Sequence, residues 1–177
     1  MSNLGKWERW YRGLDEPQPY GDSPTYRMGA DWLEGLHVED WGCGKGFLRR
    51  FVPAELYTGI DGSWSPLADV VTDLVDYRSE TEGIFIRHVL EHDFEWRRIL
   101  DNALASASRR IALVLFTPLA AETHQIAWNV DPGVPDISFN EDDIAERALA
   151  AGWDVSAATI NSPTTQYGVE TVFYMER

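Results

Sequence analysis

The sequence has 177 residues, of which 44% are hydrophobic and 12% aromatic, enough for one well-buried core and too few for two full domains. Its formal net charge of −14, from 29 acidic and 15 basic residues, argues against a binding mode that neutralises many phosphates, so we expect no nucleic-acid partner. A single cysteine, Cys43, excludes an intramolecular disulfide and is typical of a reducing compartment. No segment has the roughly 20 apolar residues that span a membrane, so we expect one cytoplasmic domain, residues 1–177, without membrane contact.

Residues 1–35 are predicted to form an aromatic-rich helical cap within this domain. Trp7, Trp10 and Tyr11 are spaced so that a helix would gather them on one side. Ser23 followed by Pro24 is typical of a helix N-cap and first position, which predicts a helix over residues 24–34 that Gly35 ends.

From residue 36 onward, strand-like runs alternate with helical segments, a pattern typical of a parallel sheet covered on both faces. The fold class is therefore α/β, a Rossmann-like three-layer sandwich whose mostly parallel sheet ends in an antiparallel C-terminal strand pair. Predicted strands cover residues 36–41, 56–61, 70–72, 83–87, 111–117, 153–160 and 168–174. Predicted helices cover residues 45–51, 92–107 and 141–151.

The stretch from Val38 to Phe47 reads as a strand that ends in a glycine turn and opens a helix. Glycine at every second position removes Cβ atoms, so a ligand could approach the backbone and N–H groups could point at it. This pattern indicates a ligand-binding turn.

The order of the motifs resembles that of the class I S-adenosylmethionine-dependent methyltransferases, in particular their small single-domain members. The series is Asp40-x-Gly42-x-Gly44-x-Gly46, then Tyr57-Thr-Gly-Ile-Asp61, then Asp73-Leu74, then His88-Val-Leu-Glu-His92. The resemblance covers most of the chain from residue 36 and implies a methyltransferase that uses S-adenosylmethionine.

The resemblance also implies which residues hold the methyl donor. Asp40 would accept hydrogen bonds from its ammonium group, Asp61 from its ribose hydroxyls, and Asp73 from its adenine amino group, with Asp69 and Asp76 as nearby competitors for the last role. The full set of implied donor-binding residues is Asp40, Gly42, Cys43, Gly44, Gly46, Asp61, Gly62, Ser63, Asp73, Leu74 and Arg87.

One spacing separates this chain from dinucleotide-binding proteins, and another departs from the usual methyltransferase pattern. A dinucleotide fingerprint requires glycine or alanine where this chain has Phe47, so the spacing favours S-adenosylmethionine over NAD. Only residues 62–68 separate the second and third predicted strands, although a parallel crossover normally takes a dozen residues or more. Either the helix usual at this place is shortened or lost, or the third strand is assigned wrongly.

His88 is the candidate catalytic residue. In the family, residues just beyond the fourth strand face the transferable methyl group, and an imidazole there could act as a general base or orient the substrate. Methyl transfer also needs close positioning, and a base could be dispensable. An alternative is that His88, Glu91, His92 and a later His124 hold a divalent metal ion, although we do not expect one.

Residues 118–139 show no clear periodicity and are predicted to form a loop or lid, with Trp128 and Asp136 as substrate contacts. We expect the acceptor to be a small molecule such as a sugar or a secondary metabolite; a basic protein acceptor would also suit the acidic charge. Alternatives are a non-catalytic S-adenosylmethionine-binding or scaffold protein and a metal-assisted O-methyltransferase. The sequence does not determine the methylated atom or the oligomeric state.

Overall fold

The computed structural model describes residues 4–21 and 24–177. The helices in this part of the chain are α1 (Glu8–Tyr11), α2 (Thr25–Trp32), α3 (Trp96–Ser106) and α4 (Glu141–Ala150). The strands there are β1 (Val38–Trp41), β2 (Tyr57–Asp61), β3 (Val70–Val71), β4 (Thr81–Arg87), β5 (Ala107–Leu115), β6 (His124–Asn129), β7 (Val134–Ser138), β8 (Asp154–Asn161) and β9 (Val169–Glu176).

Seven strands form one sheet in the order β3-β2-β1-β4-β5-β9-β8. The strands from β3 to β5 pair in parallel, whereas β9 is antiparallel to both β5 and β8. In the central register Asp40 of β1 lies between Gly59 of β2 and Phe85 of β4. The predicted architecture, a mostly parallel sheet closed by an antiparallel C-terminal pair, is confirmed.

Apolar cores cover both faces of this sheet. Successive residues of a strand point to opposite faces, and accordingly Ile86 belongs to one core cluster and its neighbour Phe85 to the other. The first core also contains α3 and α4 residues such as Leu100 and Ile144, and the second contains Leu33 beside α2. The helices therefore fix the central strands from both sides, and the ends of those strands form a rigid base for a site.

Residues 62–69 join β2 to β3, and this segment, which the structure describes throughout, contains no helix. Of the two readings left open by the sequence, the lost crossover helix is the correct one, since Val70 and Val71 pair with Ile60 and Asp61. The short connection keeps residues 62–69 close to the end of β2.

Two predicted helices are shorter in the structure. The helix expected over residues 45–51 is a single 3-10 turn, Phe47–Arg50, because Gly46 is left-handed at φ 64° and Pro53 follows closely. The helix expected from residue 92 begins at Trp96, since residues 90–92 form a separate 3-10 turn.

The prediction of a loop or lid without regular structure over residues 118–139 is wrong. Strands β6 and β7 pair there as an antiparallel hairpin whose register shifts near Gln125 and Ala127. Gly133 has φ 80° and its N–H donates to the Asn129 carbonyl at 2.7 Å, so Asp131-Pro132-Gly133 is a hairpin turn. Pro135 and the broken register concealed the strand alternation.

The N-terminal cap is helical only in part. Helix α1 is one turn long, and α2 covers most of the predicted 24–34 segment before Gly35, which has φ 77°. The predicted cap residue Ser23 lies outside the described residues. Across the described ranges, we find no helix of the length and apolar character that crossing a membrane requires.

Candidate active site

A cavity of about 470 Å³ lies at the carboxyl ends of β1, β2 and β4. A pocket of this size suits a small ligand or cofactor. Of the predicted donor-binding and catalytic residues, those that line it are Gly42, Asp61, Gly62, Ser63, Asp73, Leu74, Arg87 and His88. One cavity therefore joins the predicted donor-binding residues to the predicted catalytic residue.

Four of the predicted donor-binding residues lie behind this wall: Asp40, Cys43, Gly44 and Gly46 are buried and do not line the cavity. The carboxyl group of Asp40 accepts a hydrogen bond from the Tyr57 hydroxyl at 2.7 Å. A Cβ on Gly44 would meet the Tyr11 and Tyr20 side chains at 3.1–3.2 Å, and one on Gly46 would meet Leu67 at 3.0 Å. Close packing by side chains is therefore part of the reason for glycine in this turn.

Asp61 ties the two loops of the donor side together. Its Oδ2 accepts from the Gly44 N–H at 2.8 Å and its Oδ1 from the Ser63 N–H at 2.7 Å. Burial raises the pKa of Asp61 to about 6, despite these two stabilising hydrogen bonds. Each carboxylate oxygen has further lone pairs for hydroxyl donors.

Asp73 lines the cavity, whereas its sequence competitors do not. Asp69 contacts Arg49 and accepts from the Gly59 N–H at 2.7 Å, and Asp76 pairs with Arg98 on the surface at 2.5 Å. Leu74 and Ile99 add apolar surface beside Asp73. Carboxylates with adjacent apolar walls suit a nucleoside, so this part of the cavity fits the donor that the sequence implies.

Arg87, His88 and Glu170 form a buried cluster on the other side of the cavity. Glu170 is completely buried on β9, and its Oε1 lies 2.7 Å from Arg87 Nη2 and 2.6 Å from His88 Nε2. The Arg87 guanidinium also donates to Thr25 Oγ1 at 3.1 Å and to the Tyr26 hydroxyl at 3.0 Å. Arg87 therefore supports the wall, in addition to lining the cavity.

His88 adopts a backbone conformation that non-glycine residues rarely take, with φ 57°. Such strain is commonly retained at functional sites. Burial is the main reason that the pKa of His88 is lowered to about 4, and the nearby Arg87 charge adds to it. The ring is consequently neutral at physiological pH. Its centroid lies 4.8 Å from that of Phe116, and the two ring planes are tilted by 46°.

His92 and Asp136 form a second pair on the same wall. His92 Nδ1 lies 3.0 Å from the Pro135 carbonyl and 3.3 Å from Asp136 Oδ1. Asn129 donates to Asp136 Oδ1 at 2.6 Å, and Tyr167 donates to its Oδ2 at 2.8 Å. Asp136 lines the cavity, as expected from the sequence, whereas Trp128 does not.

Glu170 was not among the site residues predicted from the sequence. The available signal was an acidic residue within the otherwise apolar run of β9, since a carboxylate in a buried strand requires a partner. Without a fold, nothing connected that position to His88, 82 residues earlier.

The alternative metal ligands are not brought together. Glu91 Oε1 accepts from the Phe116 N–H at 2.6 Å, and His124 is exposed on β6, where Nδ1 contacts the Glu122 carbonyl at 2.8 Å. In residues 4–21 and 24–177, no three His, Cys, Asp or Glu side chains form a group that could hold a metal ion.

The N-terminal segment borders the cavity and contacts both of its sides. The N–H of Gly5 donates to the Gly62 carbonyl at 2.9 Å and that of Trp7 to Ser63 Oγ at 3.0 Å. Lys6 Nζ reaches the Gly133 carbonyl of the hairpin turn at 2.8 Å. Trp7, Trp10 and Tyr11 line the cavity, so this segment encloses it.

Sequence comparison gives no relatives: no family model matches this chain, and no curated protein is significantly similar to it. Solved structures do match. One is the 1,6-didemethyltoxoflavin-N1-methyltransferase of Burkholderia thailandensis, with 1,6-didemethyltoxoflavin and S-adenosylhomocysteine bound, at TM-score 0.65 and 17% identity over 88% of this chain and 79% of that one.

Two further matches cover nearly complete chains. The magnesium protoporphyrin IX methyltransferase of Synechocystis, with S-adenosylhomocysteine bound, has TM-score 0.66 and 18% identity over 97% of this chain and 93% of that one. The CcbJ methyltransferase of Streptomyces caelestis has TM-score 0.63 and 12% identity over 99% of both chains. At these identities the likeness is one of fold, and the chain has the fold of the class I S-adenosylmethionine-dependent methyltransferases.

Proposed function

We propose that the protein is an S-adenosylmethionine-dependent methyltransferase that acts on a small molecule. The observation that carries this proposal is one cavity with two chemically different sides. Asp61, Asp73 and Leu74 provide carboxylates and apolar surface for a nucleoside, and His88 and Phe116 provide a polar and an aromatic group for an acceptor.

The donor side consists of loops that follow β1, β2 and β3. Asp61 would bind the ribose hydroxyls, and Asp73 with Leu74 would bind the adenine. Gly42, Gly62 and Ser63 supply backbone groups along the same wall, and Arg87 also lines the cavity, while Asp40, Cys43, Gly44 and Gly46 support the wall from behind. S-adenosylmethionine would supply an electrophilic methyl group on a sulfonium ion.

The whole cavity is about 470 Å³, which favours a small molecule over a polypeptide or a nucleic acid. The N-terminal segment and the hairpin turn both border the cavity. The net charge of −14 also disfavours a nucleic-acid acceptor. Buried Cys43, without another cysteine to pair with, suits a cytoplasmic location.

Calorimetric titration with S-adenosylmethionine tests the donor site. We expect binding by the unmodified protein and about tenfold weaker binding by Asp73→Asn, which loses one charge-assisted hydrogen bond. Asp76→Asn, three residues later on the surface, should bind as the unmodified protein does. A folded protein that does not bind S-adenosylmethionine would refute the proposal.

An assay of methyl transfer distinguishes an enzyme from a non-catalytic binding protein. Release of S-adenosylhomocysteine in the presence of a small-molecule acceptor supports the enzyme. Binding of the donor without transfer to any acceptor would favour a scaffold. An undiminished rate after treatment with a chelator would exclude the metal-assisted alternative.

A further inference from the structure

Two histidines contact one aromatic ring in the acceptor half of the cavity. The Phe116 ring centroid is 4.8 Å from that of His88 and 5.3 Å from that of His92. All three side chains line the cavity. The Trp7 ring, also on the lining, lies 5.4 Å from the His92 ring, so the wall is a series of aromatic groups.

His88 is held as a neutral ring. Glu170 is buried and ionised, with a pKa that the hydrogen bond from His88 and the Arg87 charge lower although burial opposes ionisation. Because a carboxylate only accepts, His88 Nε2 is the donor in their 2.6 Å contact and Nδ1 keeps its lone pair. Arg87 Nη2 lies 2.7 Å from the same oxygen and neutralises the carboxylate. A positively charged His88 ring would therefore gain little electrostatic stabilisation from Glu170.

His92 has the opposite arrangement. The Pro135 carbonyl also only accepts, so His92 Nδ1 carries the hydrogen and the proton-binding nitrogen of the neutral ring is Nε2. Asp136 lies 3.3 Å from that Nδ1, and Asn129 and Tyr167 fix its carboxylate from the other side. Unlike Glu170, Asp136 has no arginine or lysine among its described contacts.

Among the described residues, the titratable groups that act on His92 are Asp136 from β7, Glu91 from the same 3-10 turn and His88 from the end of β4. Burial disfavours the charged ring, but the Asp136 carboxylate at 3.3 Å and Glu91 outweigh this effect, and the pKa of His92 is raised. Neighbouring histidines with opposed pKa shifts are typical of a site that separates two roles.

We propose that His92, backed by Asp136, receives the proton that the acceptor loses, while His88, held by Glu170, orients the acceptor through Nδ1. This inference rests on the proposed function. It assigns the acceptor to a chemical class: a flat conjugated molecule that carries a hydroxyl or a ring N–H, since the wall is aromatic and the proton must come from an oxygen or a nitrogen.

The chemical step balances without another reactant. A bond forms between the acceptor oxygen or nitrogen and the methyl carbon, and the carbon–sulfur bond breaks with its electron pair left on sulfur. The acceptor's O–H or N–H bond pair stays on the oxygen or nitrogen, and the proton moves to His92 Nε2. Asp136 stabilises the resulting imidazolium until the proton leaves to water.

Histidine nitrogen NMR of the ligand-free protein tests the two assignments. We expect His92 to carry hydrogen on Nδ1 and to titrate at higher pH than an ordinary histidine, whose pKa is about 6.5, and His88 to carry hydrogen on Nε2 and stay neutral near pH 7. Asp136→Asn should lower the pKa of His92 and leave His88 unchanged. A His92 that titrates below the ordinary histidine value of about 6.5, or whose pKa does not change in Asp136→Asn, overturns the inference.

The rate tests the catalytic role, with catechol, quercetin and lumazine as acceptor probes and S-adenosylhomocysteine release as the readout. We expect His92→Gln to slow transfer about 100-fold, and added imidazole to restore part of the rate in His92→Ala. His124→Gln is the matched control and should keep the full rate. A merely structural His92 would give no rescue by imidazole.

The acid limb of the pH–rate profile tests Asp136 as a positioning residue. Since the base must be unprotonated, the rate should fall as pH drops through the pKa of His92, and Asp136→Asn should move this fall to lower pH. An unmoved limb contradicts the role of Asp136. Donor binding without transfer to any of the three probes contradicts the acceptor class, whereas loss of donor binding itself would contradict the proposed function instead.

Discussion

Asp40 is a buried carboxyl group beneath the glycine turn. Burial raises its pKa to about 7, although the Tyr57 hydroxyl donates to it at 2.7 Å. In the unfolded chain an aspartate has a pKa of about 3.9. The folded state therefore binds a proton that the unfolded state releases, and the stability linked to this proton is present below pH 4 and is lost as pH rises toward 7.

We predict that Asp40→Asn removes this loss. Relative to the unmodified protein, the variant should gain on the order of 2–3 kcal/mol in unfolding free energy between pH 4 and pH 7. Denaturant unfolding at several pH values measures the difference. Asp69→Asn should behave in the opposite sense and chiefly below about pH 5, because Arg49 lowers the pKa of Asp69 despite its partial burial, so the native carboxylate loses stability as pH falls. Equal pH slopes for all three proteins would contradict this account.

Gly42 illustrates how crowding and conformation combine at one residue. It has φ 76°, and a Cβ there would lie 2.3 Å from Val89 Cγ2. Gly35 has nearly the same φ, 77°, with nothing within 4 Å of the added Cβ. The pair therefore separates the cost of a left-handed backbone from the cost of a clash.

We predict that Gly42→Ala is more destabilising than Gly35→Ala by about 1–3 kcal/mol, the usual cost of overpacking a tight site. Both variants lose the conformational freedom of glycine, so this difference reports the contact with Val89 alone. Urea unfolding curves of the two variants give the comparison. Equal destabilisation would mean that Val89 moves away without cost.

At the scale of elements, the N-terminal segment is tied to the loop after β2 by Ser63, whose Oγ accepts from the Trp7 N–H at 3.0 Å. The same loop lines the donor side of the cavity. Loss of this hydrogen bond should loosen the segment that encloses the cavity.

We predict that Ser63→Ala speeds amide exchange over residues 4–11 and weakens S-adenosylmethionine binding about two- to tenfold, the effect of one hydrogen bond. Hydrogen exchange with mass spectrometry and calorimetry measure the two effects. The matched control is Ser108→Ala, which removes a hydrogen bond to the Thr81 carbonyl away from the cavity. Unchanged amide exchange over residues 4–11 in Ser63→Ala would contradict the role of Ser63 in holding this segment.

Elements with strong local patterns were predictable, and those set by long-range contacts were not. The central strands were predicted as short strand-like runs that contain Asp40 and Asp61 near their ends. Asp73 was preferred to Asp69 and Asp76 as the weaker of the donor-binding assignments, and of these three residues it is the one that lines the cavity. The hairpin β6–β7 was missed because its register breaks and Pro135 lies in β7. Glu170 was missed because only the antiparallel end of the sheet brings it to His88.

At the scale of the whole molecule, the net charge of −14 means that acidic side chains repel one another in the folded state. We predict that the midpoint of thermal unfolding rises as sodium chloride increases from about 10 mM to about 150 mM, where the screening length falls from about 30 Å to about 8 Å. Calorimetric scans measure the change. A falling midpoint would show that the surface ion pairs contribute more than the net repulsion does.

The sheet places two sets of groups around one cavity: carboxylates and apolar side chains after β2 and β3, and a histidine-rich aromatic wall after β4 and β5. A crystal structure of the protein with S-adenosylhomocysteine tests this account most directly. We predict ribose hydroxyls on Asp61, adenine beside Asp73 and Leu74, and sulfur toward His88 and Phe116. Ligand bound outside this cavity, or with its nucleoside against the histidines, would contradict the account.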